Sequence, residues 1–295
     1  MKKIALSRLE RRSLPWIYVF LAPTLIMFLM FYLWPILTVV YTSFTRWNGM
    51  TSPEWAGAIN YQRLFGMKSF LYSLRNLGLW SLIAAVLHTI FGVMVALIFF
   101  KTPPGWKFVR TVFMIPNVIS GAAWAMIYRF LFNNEFGLLN NIIRVVKKDF
   151  NVNWFFESPA AFWAITFTWL FYAVVITLVV LSDLMAISAD VHEAAIIDGA
   201  SGWQITAKID LPLCRFSIGT SVIMGVTSRI SMYEAIALTS RGGPGDDTMS
   251  LSMILVKAIT DFNYGLANSA AMVMLILGAL IMLICNRAFR MNQTV

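Results

Sequence analysis

Six long apolar segments alternate with shorter polar segments along this chain of 295 residues. Each segment is long enough to cross a bilayer as a helix, which takes about 20 residues. The segments are too continuously apolar for the alternating strands of a membrane barrel. The pattern predicts an all-α integral membrane protein with six transmembrane helices, numbered here as spans 1 to 6: Trp16–Thr42, Leu77–Phe100, Val109–Phe132, Ala161–Ser182, Phe216–Leu238 and Ala267–Cys285. Pro23 and Pro35 predict kinks in span 1.

Composition and charge agree with a protein embedded in a lipid membrane. Hydrophobic residues make up 59% of the chain and charged residues 13%, whereas a soluble domain carries about 25% charged residues. A net charge of +9 would suit nucleic acid, but most of the basic residues flank the spans. We therefore expect no nucleic acid partner.

Basic residues beside the spans predict the orientation of the chain. Short loops rich in Lys and Arg stay in the cytoplasm, and with six spans three such segments fall on one side. Both termini are then cytoplasmic, although a smaller basic group that includes Arg63 and Lys147 falls on the opposite side. The three cytoplasmic segments hold Lys2, Lys3, Arg8, Arg11, Arg12, Lys101, Lys107, Arg110, Arg287 and Arg290.

A polar, helix-forming segment from Glu193 to Pro212 separates spans 4 and 5. Glu193, Ala194 and Ala195 favour a helix. Gly199 is expected to end that helix, because glycine enters the left-handed C-cap conformation without steric cost. A second short amphipathic helix follows, and Pro212 is expected to prevent its continuation. Two short helices between membrane spans offer a surface on which a separate protein can dock.

The sequence lacks the motifs of an enzyme or an ATPase. The two histidines, His88 and His192, do not have the spacing of a zinc site. Cys214 and Cys285 suit packing positions near the ends of spans better than a disulfide. The glycine-rich segment Gly242–Gly245 lacks the Lys-Ser/Thr pair of a phosphate-binding loop. We therefore expect this chain to bind no metal or cofactor and to leave ATP hydrolysis to another protein.

The segment Glu193–Pro212 resembles the coupling loop of ABC importer membrane subunits, whose pattern is E-A-A, three further residues, G, and then I-x-L-P. Other segments resemble the maltose-type, carbohydrate-uptake branch of that family: Asn60–Phe65, Ile115–Ser120, Phe132–Asn140 and Thr239–Thr248. Of these, Ile115–Ser120 in span 3 resembles a proline-broken helix typical of that branch. The resemblance implies a type I ABC importer permease fold, located in a bacterial or archaeal plasma membrane. It also implies transport of a sugar or oligosaccharide.

The same resemblance implies several partners: a second, homologous permease subunit in a heterodimer, two ATPase subunits that bind ATP and Mg²⁺, and an extracytoplasmic solute-binding protein. This sequence departs from the family pattern at Thr206 and Ala207, where larger aromatic residues are common, and at Asp210, where Thr is common. We therefore expect weaker packing of the second loop helix. The residues expected to contact the ATPase or to shape the loop are Glu193, Ala194, Ala195, Asp198, Gly199 and Pro212.

The chain is expected to divide into three parts. Residues 1–15 form a basic cytoplasmic arm, and residues 16–76 form the first transmembrane helix and an external loop. Residues 77–295 form the permease core, in which the coupling loop spans residues 183–215.

Spans 4 and 5 carry the residues that best suit contact with a sugar. Arg229 and Glu234 are ionisable residues within span 5, and charges within spans usually serve a function. Helical spacing places Gly225, Arg229, Met232 and Tyr233 on one face of span 5. The corresponding face of span 4 carries Thr168, Phe171 and Tyr172. Aromatic rings combined with hydrogen-bonding groups are typical of sugar sites, so these seven residues are the predicted substrate path.

Other interpretations of these residues stay open. The aromatic residues also suit the membrane interface, and Arg229 also suits a structural pair with Glu234 or with the partner permease. A guanidinium pairs best with carboxylates, which admits an acidic sugar. The alternative function is an ABC permease for a non-sugar solute, such as a glycerophosphodiester or a polyamine. A membrane enzyme or a channel would need an intramembrane catalytic cluster or a filter sequence, and neither is found.

Overall fold

The computed structural model describes residues 8–289, with residues 8–15 and 17 described by their backbone alone. Arg290 and the side chains of the predicted basic arm, residues 1–15, lie outside this description. The described chain is mostly helical, at 74%. Four helical segments are long and apolar enough to cross a membrane, and two strongly bent helix pairs bring the number to six. The predicted all-α fold with six spans is confirmed.

Several helices are interrupted by short π-helical or 3-10 turns. The α-helices are Arg8–Phe28, Trp34–Ser43, Ile59–Gly66, Lys68–Ile83, Thr89–Phe100, Trp106–Met114, Gly121–Leu131, Leu138–Val146, Ala160–Leu170, Val174–Ala186, Ala189–Ile197, Gly202–Ile205, Leu211–Leu213, Arg215–Ile230, Glu234–Ala237, Leu251–Thr260 and Tyr264–Ala288. The π-helical turns are Leu29–Leu33, Ala84–His88 and Thr206–Asp210, and Ile115–Val118 is a 3-10 turn. Two short antiparallel strands, Thr45–Arg46 and Glu54–Trp55, follow span 1.

Span 1 is distorted at the π-helical turn Leu29–Leu33, between its two prolines. Pro35 lies in the first turn of the helix that follows. Proline has no N–H to donate and its ring crowds the preceding turn, which explains a wider turn at this place. Pro23 lies within the uninterrupted helix Arg8–Phe28. Only Pro35 is therefore associated with a break in the regular helix.

Span 1 contacts the described chain mainly through its C-terminal end. None of its most apolar stretch is buried by the other described residues. Thr42 and Ser43, at its end, are buried. The side-chain amide of Asn268 in span 6 donates to the Thr42 hydroxyl over 2.7 Å. The rest of span 1 thus presents apolar side chains to its surroundings, as a helix in lipid does.

Span 2 begins at Lys68 rather than at the predicted Leu77. Its first turns contain polar side chains, which hydropathy alone excludes from a span. The Asn76 side-chain amide is buried and donates to the backbone carbonyls of Asp247 and Met249 over 3.0 and 2.9 Å. Because the protein itself satisfies these groups, the helix extends beyond the apolar segment.

Replacement of Asn76 by alanine is expected to destabilise the protein. Two half-buried carbonyls would lose their donor, and a buried group left unpaired costs about 1–3 kcal/mol. Thermal unfolding of the purified protein in detergent measures the effect. Asn141→Ala is the matched control, because its exposed amide donates to the Phe136 carbonyl over 3.1 Å. Equal losses of stability in the two variants would contradict the prediction.

Span 3, predicted over Val109–Phe132, consists of two helical halves. The helix Gly121–Leu131 makes an angle of 107° with the preceding half. Pro116 lies at the start of the 3-10 turn that ends the first half. The Ser120 hydroxyl then caps the second half by accepting from the Ala123 N–H over 3.3 Å. The proline-broken helix expected from Ile115–Ser120 is thus present.

Spans 4 and 5 are also broken, which corrects the two predicted continuous helices. The helix of span 4 is interrupted between Leu170 and Val174. The span 5 helix ends at Ile230, and a short helical turn follows at Glu234–Ala237. A break frees backbone carbonyls, which need other donors inside a membrane protein. Side chains of neighbouring segments supply them: His88 Nδ1 to Leu170 (2.8 Å), Trp124 Nε1 to Thr168 (2.7 Å), Ser250 Oγ to Met232 (2.8 Å) and Ser252 Oγ to Ile230 (2.9 Å).

Three groups of buried apolar residues hold the spans together. The first surrounds Trp80 and Trp169, and the Trp80 ring N–H donates to the Thr166 hydroxyl over 3.0 Å. The second joins span 6 to the helix Leu251–Thr260. The third joins spans 2 and 4 and includes Cys214, at the start of span 5. The first group borders the predicted substrate path, and the third borders the predicted coupling loop.

Candidate functional site

The first helix of the coupling loop, Ala189–Ile197, ends as predicted at a left-handed glycine. Gly199 has a φ of +78°. The Ala200 N–H donates to the Ala195 carbonyl over 2.9 Å, and the Gly199 N–H donates to the Ile196 carbonyl over 3.0 Å. This pair of hydrogen bonds closes a helix when the residue after the cap adopts the left-handed conformation. Gly199 therefore sets the direction in which the loop leaves the helix.

Most side chains of this helix point away from the rest of the described chain. Within Ala189–Ile197 only His192 and Ala195 are not exposed. Ala195 is 8% exposed, so it packs against its own chain rather than facing a partner, whereas Ile197 is 84% exposed. The other residues of the predicted docking set are exposed: Glu193, Ala194, Asp198, Gly199 and Pro212.

The second arm of the loop is the helical segment Gly202–Leu213. It begins with a capping box at Ser201. The Gln204 N–H donates to the Ser201 hydroxyl over 3.4 Å, and the Ser201 N–H donates to the Gln204 side chain over 2.7 Å. Trp203, between them, is 76% exposed. The arm continues through the π-helical turn Thr206–Asp210. It thus adds an exposed aromatic residue to the surface formed by the first helix.

Pro212 does not stop the second arm where the sequence predicts. It lies in the short helix Leu211–Leu213, directly after the π-helical turn Thr206–Asp210, whose wider spacing accommodates a residue that has no N–H. The chain turns at Cys214 instead, and the helix of span 5 leaves at an angle of 67°. Cys214 is buried, and burial together with the carboxylates of Asp183 and Asp210 raises the pKa of its thiol to about 11. Such a thiol is protonated at neutral pH and unreactive.

Polar contacts replace the aromatic packing that the family pattern has in this arm. Thr206 is buried, and Asp210 is only 3% exposed. The Asp210 carboxylate lies 2.8 Å from Nε2 of His192 in the first helix of the loop. The predicted weakness of the second arm is therefore compensated by a hydrogen-bonded pair that joins the two arms.

A cavity of about 400 Å³ lies where the broken parts of spans 3, 4 and 5 meet. Aromatic rings and hydrogen-bonding side chains from all three spans surround it. Its lining residues are Gly121, Trp124, Thr168, Trp169, Tyr172, Arg229, Ser231, Met232, Tyr233, Glu234 and Ala235.

The guanidinium of Arg229 lies over an aromatic ring at the edge of this cavity. Its guanidinium carbon is 4.1 Å from the centre of the Trp169 ring, a favourable cation–π geometry. Nη2 and Nε of Arg229 donate to the Ser228 hydroxyl over 2.9 and 3.2 Å. Among the described residues, no carboxylate lies within 4.0 Å of this guanidinium. The structural pair with Glu234 is therefore not formed, and N–H groups of Arg229 stay available.

The other polar groups of the cavity are arranged around two tryptophans. The rings of Trp124 and Tyr172 lie 5.4 Å apart, and the Tyr172 hydroxyl donates to the Asn117 side chain over 2.8 Å. The Trp169 ring N–H is buried and has no hydrogen-bond partner among the described residues. The Glu234 carboxylate lies so close to Gly121 that a Cβ there would overlap it. The cavity thus offers both donors and acceptors beside flat apolar rings.

Comparison with known proteins identifies the family. No family model matches the chain. The probable ABC transporter permease YesP of Bacillus subtilis is 31% identical over 274 residues, which cover 90% of this chain and 88% of the relative. The chain belongs to the ABC transporter permease family. The predicted family and its maltose-type branch are both confirmed, because many relatives of this ABC permease carry the names of sugar permeases.

Two such relatives match this ABC permease over most of their length. The trehalose/maltose permease MalF of Thermococcus litoralis is 28% identical, with 92% of each chain covered. The diacetylchitobiose permease NgcF of Streptomyces coelicolor is 29% identical, with 90% of this chain and 80% of the relative covered. A solved bacterial transporter involved in the import of the acidic polysaccharide alginate shares the fold, with a TM-score of 0.83 and 20% identity over 98% of this chain and 100% of that one.

The cavity of this ABC permease contains five of the seven predicted path residues. It brings together Thr168, Tyr172, Arg229, Met232 and Tyr233. Two predicted residues are absent from its lining. Phe171 is 54% exposed and packs beside Phe91 and Phe167, and Gly225 faces Ala84 and His88. The single helical faces assumed for spans 4 and 5 do not exist, because both helices break within the predicted set.

The sequence prediction missed several lining residues, above all Trp124 and Trp169. Both are apolar residues within spans, and hydropathy treats them as lipid-facing or core positions. Trp169 is adjacent to the predicted Thr168. It lies in the cavity of the permease because the span 4 helix ends at Leu170, and no sequence motif marks that end. The signal that would have found Trp124 is its place just after the proline-broken turn Ile115–Ser120.

Proposed function

We propose that this chain is the membrane subunit of an ATP-driven importer for a sugar or an oligosaccharide, and that it forms one half of the translocation path. The observation that carries the proposal is the direct connection between a surface loop and a cavity. The exposed coupling loop leads through Cys214 into the span 5 helix, whose last turn carries Arg229 beside the aromatic cavity. Relatives named for trehalose and maltose, for starch degradation products and for diacetylchitobiose support a carbohydrate substrate.

The coupling loop is proposed to bind a separate ATPase, which would hold ATP and Mg²⁺. Its exposed face combines apolar side chains with acidic ones. Ile196, Ile197 and Trp203 are exposed together with Glu193 and Asp198. Contiguous exposed apolar groups rimmed by polar ones are typical of protein interaction sites. This side of the membrane is then the cytoplasm, where both termini are also placed by the basic residues.

The cavity is proposed to bind the sugar by stacking and hydrogen bonding. Trp124 and Tyr172 supply flat rings, on which the apolar face of a sugar packs. Arg229, held over the Trp169 ring, supplies donors, and Glu234 supplies an acceptor. The cavity opens to the outside of the subunit, so a second permease subunit is proposed to close it in a heterodimer. An extracytoplasmic binding protein is proposed to deliver the sugar.

A second candidate ligand is an anionic one, either an acidic sugar or a phosphodiester such as a glycerophosphodiester. The observation that favours it is the Arg229 guanidinium, which has no carboxylate within 4.0 Å among the described residues. Guanidinium groups bind carboxylates and phosphates through paired hydrogen bonds. A polyamine is disfavoured, because this cationic group would face a cation.

The experiment that tests the proposal uses the complete complex. The permease is reconstituted with its partner permease, ATPase and binding protein, and ATP hydrolysis is measured with a panel of compounds. The panel holds maltose, trehalose, diacetylchitobiose, a uronate oligosaccharide, glycerophosphocholine and spermidine. We expect at least one carbohydrate to stimulate hydrolysis and spermidine to have no effect. Stimulation by spermidine or by glycerophosphocholine alone would contradict a sugar importer.

A further inference from the structure

We infer that His192 and Asp210 form a positioning pair that transmits movement of the docked loop helix to span 5 and so to the cavity. This inference rests on the proposed docking of an ATPase to the coupling loop. It concerns a different question, namely how force applied to that loop reaches the part of the membrane domain that binds the sugar.

The pair joins the two arms of the coupling loop by one short polar contact. His192 Nε2 lies 2.8 Å from the Asp210 carboxylate, and the two residues belong to the helix Ala189–Ile197 and the turn Thr206–Asp210. A carboxylate that is only 3% exposed needs a hydrogen-bond partner, because an unpaired buried charge is costly. The contact is therefore a strong constraint on the distance between the arms.

The loop helix has few other attachments to its own chain. His192 and Ala195 are its only residues that are not exposed, and they lie three positions apart on one helical face. Ala195 contributes a single methyl group. His192 also packs against Phe100 at the end of span 2, with ring centres 5.8 Å apart. His192 is consequently the main side chain through which this helix is fixed to the membrane domain.

Asp210 lies directly upstream of the span that reaches the cavity. It ends the turn Thr206–Asp210, the short helix Leu211–Leu213 follows at once, and Arg215–Ile230 begins after Cys214. The last turn of that helix carries Arg229, which lines the cavity. The helix Arg215–Ile230 is a rigid element that can carry a displacement from the turn at Cys214 to the cavity. A shift of the docked helix, passed from His192 to Asp210, thus moves the cavity wall.

The test measures how accessible the cavity is to a thiol-reactive probe, which requires no transported substrate. Ser231 is exposed and lines the cavity, so Ser231→Cys is labelled with a maleimide and the labelled peptide is quantified by mass spectrometry. The complex with partner permease and ATPase is reconstituted in liposomes. Labelling is compared with and without ATP, Mg²⁺ and vanadate, which trap the ATPase.

In the Ser231→Cys protein we expect nucleotide to change the labelling rate by about 5-fold or more, the lower end of typical allosteric coupling. Addition of Asp210→Ala or His192→Ala is expected to reduce this change to below about 2-fold, with ATPase binding and basal hydrolysis retained. Asp210→Asn is expected to preserve the response, because its amide oxygen still accepts from His192 Nε2–H. Asp190→Ala is the matched control, since Asp190 is an exposed acid on the same helix.

Two results would overturn the inference. One is an unchanged nucleotide response in Asp210→Ala and His192→Ala. The other is loss of the bound ATPase from both variants, which would mean that the pair only keeps the loop folded. A separate arm with Gly199→Val tests docking itself. If that variant retains the ATPase and full uptake, the docking proposal fails, whatever the His192 and Asp210 variants do.

Discussion

Gly199→Val is expected to abolish most sugar uptake, whereas Gly199→Asn is expected to retain it. The two substitutions differ in the backbone conformation that they tolerate and not in the space that they need. Gly199 has a φ of +78°, and a Cβ built there meets nothing within 4 Å. A β-branched residue is strongly disfavoured in the left-handed region, while Asn enters it readily. Valine would therefore break the two hydrogen bonds that end the docking helix and redirect the second arm.

The size of the effect follows from the cost of the left-handed conformation, about 1–2 kcal/mol for an ordinary residue. A cost of that size changes the population of the correctly formed loop by a factor of about 5–30. Uptake into proteoliposomes and co-purification of the ATPase measure the result, with Gly199→Asn as the matched control. Membrane insertion should be equal in both variants. Equal uptake by the two would show that the left-handed turn is not needed for docking.

Arg229→Ala is expected to weaken binding of the transported ligand strongly, and to do so more than Arg229→Lys. A hydrogen bond to a charged group is worth about 1.5–3 kcal/mol, so the apparent KM of uptake should rise by about 10-fold to 100-fold for a ligand that uses the guanidinium. Lysine keeps the positive charge, but it lacks the guanidinium that lies over the Trp169 ring and that donates paired hydrogen bonds. An intermediate KM is therefore expected for Arg229→Lys.

The measurement is transport as a function of ligand concentration, with each compound of the panel that stimulates ATP hydrolysis. Phe171→Leu is the control, because Phe171 lies on a neighbouring exposed face and is absent from the cavity lining. A neutral and an acidic oligosaccharide separate the two candidate ligands, since loss of the guanidinium should affect the acidic one more. An unchanged KM in Arg229→Ala would remove Arg229 from the ligand site.

The number of spans and the helix that ends before Gly199 were predictable from the sequence because both depend on local signals. Apolar length marks a span irrespective of its neighbours, and Gly199 marks a helix end through its own backbone freedom. The start of span 2 was not predictable in this way. Lys68 belongs to the helix because Asn76 finds carbonyl partners near Met249, far away in the sequence.

The cavity was only partly predictable for the same reason. Arg229 was found because a charged residue is unusual within a span. The other six path residues were chosen by helical spacing, which assumes a continuous helix, and this assumption misplaced Phe171 and Gly225. The break at Ser231 depends on Ser250 and Ser252, whose hydroxyls take up the carbonyls freed at Met232 and Ile230. Hydrogen bonds from residues so distant in the sequence do not alter the hydropathy of span 5, so hydropathy cannot reveal the break.

These side-chain donors also constrain how the protein is made. Span 5 emerges from the ribosome before Ser250 and Ser252, so its carbonyls at the break have no protein partner at the time of insertion. Span 4 depends similarly on His88 and Trp124, which precede it in the chain. The two broken spans thus differ in when their hydrogen-bond donors are synthesised. The donors for span 4 are synthesised before that span, whereas the donors for span 5 are synthesised after it. A nascent chain halted after span 5 would expose unsatisfied polar backbone groups within the membrane, each of which costs several kcal/mol.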